Sequence, residues 1–234
     1  MSRYFTRIGD DQHIAICKVG NKAWNLHKIM KECSARIPQS VSLNVHMASE
    51  RGVAIDELFV EVRTRFEYPI IARSSSSVED SDSSFAGQFL SKMCSNDNEL
   101  TKGIQEIVDS VDSENVKAYC KCRGINVGTI KMAVLIQQYL SPKFAGVLFT
   151  KHPIDQNDSV YVEYKSNSTD AVTSGEAKVS SMLLPRNGAI DDLFFLELRD
   201  IAIVAEGCFG YPLDIEWIVS GNKLWVVQVR KITA

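Results

Sequence analysis

An α+β fold follows from three observations on this 234-residue chain. Apolar residues recur at three-to-four-residue spacing through much of its first half, the mark of helices packed on one face. Period-two alternation and continuous apolar runs take over near Lys131, the mark of strands. The C-terminus reads as strand, tight turn, strand.

The elements follow in order. Val19 to Met30 is a helix entered through a turn at Gly20 and Asn21, with Ala23, Leu26, His27 and Met30 along one side. Pro38 opens an extended stretch, PQSVSLNV, in which Val41, Leu43 and Val45 alternate with polar residues. A second helix covers Ala54 to Phe66 and ends before Pro69. The short strand Pro69-Ile70-Ile71-Ala72 runs into ARSSSSVEDSDSSFAGQF, a serine-rich tract between Arg73 and Gly87. Asn98 to Cys122 suits a helix pair, with Leu100, Ile104, Ile107, Val108 and Val111 on one stripe. MAVLIQQYL, an SPKFA turn and GVLFT read as a strand hairpin, and VYVEY near Val160 as a further strand. Asp191 to Phe209 is a helix with Leu193, Leu196, Ile201 and Val204 inward. LDIEWIV, a Ser220-Gly221-Asn222 turn and KLWVVQVRKIT close the chain as a second hairpin. Helices come first and antiparallel strands late.

Composition narrows the function classes. Hydrophobic residues make up 45% and charged residues 24%, ordinary for a globular protein and unlike a disordered chain. No apolar run reaches the roughly 18 residues of a membrane-spanning helix. The opening MSRYFTRIGDDQ lacks the apolar stretch of a secretory signal, so a cytoplasmic location is expected. Lys plus Arg number 26 against 29 Asp plus Glu, a net charge of -3 that disfavours a general nucleic-acid binder. The six cysteines, Cys17, Cys33, Cys94, Cys120, Cys122 and Cys208, form no CxxC pair. Cys120-Lys-Cys122 alone is too little for a zinc site, and reduced thiols are expected in the cytoplasm.

The closing hairpin carries the first chemical signal. Side chains alternate along a strand, so Asp214 and Glu216 share one face, as do Gln228 and Arg230 on the partner. Ile215, Trp217, Val227 and Val229 then lie on the opposite, apolar faces. Two carboxylates and an amide oxygen are hard ligands that suit Mg²⁺ shared with phosphates. An adjacent arginine stabilises charge on a transferring phosphoryl group. The plainer alternative is an amphipathic hairpin with a solvated ion pair worth about 0–1 kcal/mol.

The serine tract carries the second. Small residues and backbone N–H groups after Arg73 let a loop wrap a phosphate chain closely; a flexible polar loop is the alternative. Lys22, in VGNKAWNL, adds a cation on the turn before a helix, or simply a charge on a helix surface.

VGNKAWNL, ARSSSSVEDSDSSFAGQF, MAVLIQQYLSPKFAGVLFTKHP and PLDIEWIV…LWVVQVRKIT occur in this order over residues 19–233. In that order they resemble the nucleotide-binding domain shared by phosphoenolpyruvate synthase, pyruvate phosphate dikinase and rifampin phosphotransferase. The resemblance implies an ATP-grasp fold, with two lobes around a nucleotide cleft and mainly antiparallel sheets flanked by helices. The lobes would span about 1–130 and 131–234 of a single compact module. It implies ATP and Mg²⁺ as cofactors. Lys22 and Arg73 match the family's phosphate-binding cations, and Ser84, Phe85, Ala86 and Gly87 its loop over the phosphates. Gln137, Gln138, Tyr139 and Leu140 align with the hinge lining the adenine. Glu216 and Gln228 match the metal-binding pair with Asp214 beside them, and Arg230 the arginine at the reacting phosphate. Lys22, Arg73 and Arg230 are thereby the expected catalytic residues.

The match has departures. Where the family carries Gly-Leu-Gly-Glu, this chain has Asn167-Ser168-Thr169-Asp170, with Asp170 keeping an acid one methylene shorter. The connection from Gly175 to Asp214 is shorter than usual. The family's swivelling histidine domain and second substrate domain are absent from this sequence, and none of His13, His27, His46 and His152 has the context of its phosphorylated histidine. The expected function is an ATP-dependent phosphotransferase module serving an acceptor in trans, a histidine on a partner protein or domain. A direct small-molecule kinase and a non-catalytic nucleotide-binding regulatory subunit are the alternatives.

Overall fold

The computed structural model describes residues 4–10, 14–44, 51–78, 90–152, 158–166 and 179–232, with the side chains of 51–55 left aside. Backbone proximity divides the chain into two units: Met1–Trp24 with Gln39–Tyr139, and Asn25–Pro38 with Leu140–Ala234.

The first unit is built on an antiparallel sheet of order β1-β2-β5-β3-β4. Its strands are β1 (Phe5–Arg7), β2 (Ser40–Leu43), β3 (Ile70–Ser76), β4 (Ser91–Cys94) and β5 (Met132–Gln138). Helices α2 (Arg51–Arg65) and α3 (Asp97–Asp109) belong to the same unit. One face of the sheet supplies Val41, Leu43, Ile70, Ala72, Val134 and Ile136 to a core that also buries Leu58, Val62, Leu100, Ile104 and Ile107. The expected helix pair over residues 98–122 is present as α3, a single 3₁₀ turn and α4 (Glu114–Arg123). Asn96 caps α3 by accepting from the Glu99 amide at 3.0 Å, while Glu99 accepts from the Ser95 amide at 2.8 Å. Gly124, in left-handed conformation at φ 66°, ends α4.

The second unit is an antiparallel sheet of order β10-β9-β6-β7-β8. Its strands are β6 (Phe144–Phe149), β7 (Ser159–Ser166), β8 (Ser180–Pro185), β9 (Leu213–Ser220) and β10 (Lys223–Lys231). One face packs under α5 (Leu193–Phe209), where Phe194 meets the Trp217 ring edge-on at 5.3 Å. Asp192 caps α5, accepting from the Phe194 amide at 2.8 Å. The exposed edge of β10 is covered from within the unit: Asn25 Nδ2 donates to the Val229 carbonyl and the Val226 amide donates to the Arg36 carbonyl, each at 2.8 Å.

Four expectations are corrected. MAVLIQQYL and GVLFT are not a hairpin: β5 pairs with β2 and β3, and β6 with β7 and β9, in different sheets. Both are central strands with both edges taken, and an apolar run on either side of a turn does not say which strand pairs with which. Strand β5, expected at the start of the second lobe, is thus part of the first unit's sheet. In α5 the buried side is Leu198, Ala202, Ala205 and Phe209, whereas Leu193 is 78% exposed and Val204 45%. That helix is apolar on nearly every side, so spacing alone does not single out its inner face. Finally, a β-bulge between Val226 and Gln228 shifts the register of β10. Val226, not Val227, therefore opposes Trp217 on the apolar face, with Val229 opposite Ile215.

Candidate functional site

The first unit holds Lys22 by a close backbone approach. Helix α1 (Ile16–Cys33) is broken at Gly20, whose φ of 75° and ψ of 169° are not helical. A Cβ there would stand 1.9 Å from the Ser75 carbonyl oxygen, so only glycine serves. Ser75, fully buried, accepts from the Ala23 amide at 3.1 Å and donates to the Val19 carbonyl at 2.8 Å. One hydroxyl thus bridges the break and sets the start of the continuing helix, where the buried Lys22 sits. Asn21 Nδ2 adds a bond to the Ser77 carbonyl at 3.2 Å.

The serine tract begins as strand, not loop. β3 continues through Ser76, and Ser74, Ser75 and Ser76 are buried in register with Val134, Ala133 and Met132. Arg73, half-buried on this strand, reaches Gln137 Oε1 at 3.5 Å, and Gln137 Nε2 donates to Ser40 Oγ at 3.3 Å. Gln138 is committed to the unit's own scaffold. Its amide nitrogen donates to the Glu67 carbonyl at 2.7 Å and its Oε1 accepts from the Glu67 amide at 2.9 Å. Tyr139 and Leu140 are half-buried in the segment between β5 and β6. Ser84, Phe85, Ala86, Gly87 and Asp170 lie outside the described residues.

The second unit assembles Asp214, Glu216, Gln228 and Arg230. Gln228 opposes Glu216 and Arg230 opposes Asp214 across the β9–β10 ladder. The bulge that turns Val226 and Val229 inward is what delivers Gln228 and Arg230 to the polar face. Arg230 Nε donates to Asp214 Oδ2 at 2.6 Å, and its Nη2 stands 4.0 Å from Glu216 Oε1. The other carboxylate oxygen, Asp214 Oδ1, is buried with no hydrogen-bond partner. Burial pushes the Asp214 carboxyl above its usual range, against the opposing pull of Arg230. An unpartnered buried carboxylate oxygen costs free energy that a cation would recover. Asp214, Glu216 and the Gln228 amide oxygen form a hard oxygen set, and Mg²⁺ takes one or two protein carboxylates and completes its shell with phosphates. The residues present therefore suit that ion.

Sequence reasoning passed over two neighbours on this face. Val147 opposes Glu216 on one side and Glu163 on the other, placing both acids on the same face of the sheet. Glu163 accepts from the Tyr161 hydroxyl at 2.8 Å. Val147, Glu163, Lys165, Glu216, Ile218 and Val227 contribute to the lining of a cavity of about 400 Å³. The floor is tight: a Cβ on Gly146 would meet the Glu163 carbonyl oxygen at 2.2 Å and the Trp217 ring at 2.6 Å. The alternation in VYVEY already paired Tyr161 with Glu163, and only the strand order was missing. His152 follows β6 with its ring edge-on to Tyr161 at 4.7 Å.

Two antiparallel sheets with flanking helices, carrying cations in one unit and a carboxylate–amide–arginine set in the other, define an ATP-grasp protein. Solved D-alanine–D-alanine ligases share the fold. The enzyme from Coxiella burnetii aligns with a TM-score of 0.50 at 10% identity over 93% of this chain and 48% of its own. That from Helicobacter pylori aligns with a TM-score of 0.50 at 12% identity over 88% and 53%. The family model described as pyruvate phosphate dikinase, AMP/ATP-binding domain, matches residues 25–187 and 163–234. The chain belongs to that family. A probable phosphoenolpyruvate synthase of Archaeoglobus fulgidus is 24% identical over 71% of this chain. A rifampicin phosphotransferase of Streptomyces sviceus is 26% identical over 87%. This chain spans 27% of the length of each of these two relatives. Among the described residues no helix is long and apolar enough to cross a membrane.

Proposed function

We propose that this chain binds Mg-ATP and passes a phosphoryl group to an acceptor supplied in trans, a histidine on a partner protein or domain. The observation that carries the reading is the unpartnered buried oxygen of Asp214, beside Glu216, Gln228 and Arg230. Asp214, Glu216 and Gln228 hold the metal, which when bound offsets phosphate charge and polarises the terminal phosphoryl group. Lys22 and Arg73 make charge-assisted bonds to the phosphates. Ser84 to Gly87 cover the phosphates, and Gln137 to Leu140 with Asp170 complete the nucleotide contacts. Arg230, oriented by Asp214, stabilises the charge that spreads over the transferring group. A cytoplasmic setting is part of the same proposal.

Calorimetric titration of the chain with ATP, with and without Mg²⁺, tests the first half. Binding should require Mg²⁺, weaken at least tenfold in Lys22→Ala and lose its metal dependence in Glu216→Ala. No binding to the unaltered chain would refute the reading. The second half is tested with γ- and β-labelled ATP and an added histidine-bearing domain from a family relative. Acid-labile label on that domain supports transfer in trans. Nucleotide binding with no label transferred would favour the regulatory subunit instead.

A further inference from the structure

Two of the six cysteines lie near each other inside the second unit, away from any residue assigned to the nucleotide. Cys33 is the last residue of α1 and Cys208 the next-to-last of α5. Both are half-buried free thiols. Cys208 Sγ donates to the carbonyl of Glu32, the residue before Cys33, at 3.9 Å, which brings the two thiols close together. A cavity of about 440 Å³, lined in part by Cys33, Leu196, Glu197 and Ile201, opens beside Cys33. The other cysteines are placed differently: Cys94 and Cys120 are buried in the clusters of the first unit, and Cys17 and Cys122 are exposed.

We propose that Cys33 and Cys208 are a redox-responsive pair that closes to a disulfide when a small disulfide such as oxidised glutathione is present. The Cys208 thiolate attacks one sulfur of the oxidant, the S–S bond breaks, and one glutathione thiolate leaves. Cys33 loses its proton to solvent and attacks the Cys208 sulfur, expelling the second glutathione. Two protein thiols are oxidised to one disulfide while the oxidant is reduced to two thiols, so electrons balance. The sulfurs must approach to about 2.05 Å for the bond to form. The position of Cys33 at a helix end gives its side chain room to turn. Burial, then the neighbouring Cys208 thiol, pushes the Cys33 thiol up to about 12, so the closing step is slow at neutral pH and quickens as pH rises. The bond ties the end of α1 to the end of α5 and closes a long stretch of chain, the arrangement that most restrains the unfolded state.

The test is peptide mapping under non-reducing conditions after incubating the full chain with oxidised glutathione and alkylating the remaining thiols. The expected product is a Cys33–Cys208 cross-linked peptide and an intact mass lower by about 2 Da. It forms faster at higher pH, raises the unfolding temperature and is reversed by dithiothreitol. Cys17→Ser and Cys122→Ser should keep it, while Cys33→Ser and Cys208→Ser should lose it. Glutathione adducts without the cross-link, or a cross-link appearing only after denaturation, would overturn the proposal. Neither result bears on nucleotide binding, which the calorimetry reads separately.

Discussion

Asp97 in the first unit and Asp214 in the second are each paired with an arginine, and they differ in every consequence. Asp97 Oδ1 accepts from the Tyr68 hydroxyl at 2.7 Å, and Oδ2 accepts from the Arg63 guanidinium through Nε at 2.9 Å and through Nη2. Both oxygens are satisfied, and these bonds, Tyr68 first, hold the carboxyl below its usual range. Asp214 has one oxygen satisfied and one buried with no partner, and burial raises it instead. An arginine partner alone therefore does not make a carboxylate structural. The first aspartate is completed by its own chain and fastens α3; the second keeps one buried oxygen without a partner.

The sharpest way to break that contrast is to remove each arginine. In Arg230→Ala, Asp214 is left in a buried site without the one donor it has among the described residues, which should cost about 2 kcal/mol of stability. On the proposed function the same variant loses phosphoryl transfer by 100-fold or more while keeping ATP affinity within a few-fold. Arg63 is 65% exposed, so Arg63→Ala should cost only about 0–1 kcal/mol. Urea titrations of the two variants decide it: a larger loss for Arg63→Ala would mean the two pairs have been read the wrong way round. Next in size is Glu216→Ala, which on the proposed function removes a metal ligand without touching the Asp214–Arg230 bond. It should remove the Mg²⁺ dependence of ATP binding with little change in the unfolding midpoint. An unchanged Mg²⁺ titration would remove Glu216 from the metal set.

Much of this was legible in the sequence, for identifiable physical reasons. Asp214, Glu216, Gln228 and Arg230 were placed together because strand alternation and a short turn are local properties. Even there the bulge escaped notice, because it depends on how β10 meets Trp217 and the Arg36 carbonyl, far away in sequence. The α+β class was legible, while the division of strands between two sheets was not. β5 and β6 are consecutive apolar strands, and their partners lie up to about a hundred residues away. Ser75 escaped for a different reason. It read as one of many loop serines, and its role appears only when β3 runs beneath Gly20 and its hydroxyl bridges the broken helix.

The smallest effect sharpens the contrast from the first unit's side. Asp97 is held low by Tyr68, so this aspartate adds stability above the ordinary carboxylate pKa and loses it as pH falls through its depressed folded value. Tyr68→Phe should therefore destabilise by about 1 kcal/mol at neutral pH. The gap between variant and wild type should narrow as pH falls through that depressed value, once Asp97 is protonated in both. The Tyr68 hydroxyl is itself raised by burial and by its bond to Asp97, so the wild type should also lose stability faster than the variant in strong alkali, where tyrosine ionises in the unfolded chain. A gap that stayed constant from acid to alkali would mean that Tyr68 acts through packing alone, and that Asp97 owes its low pKa to Arg63.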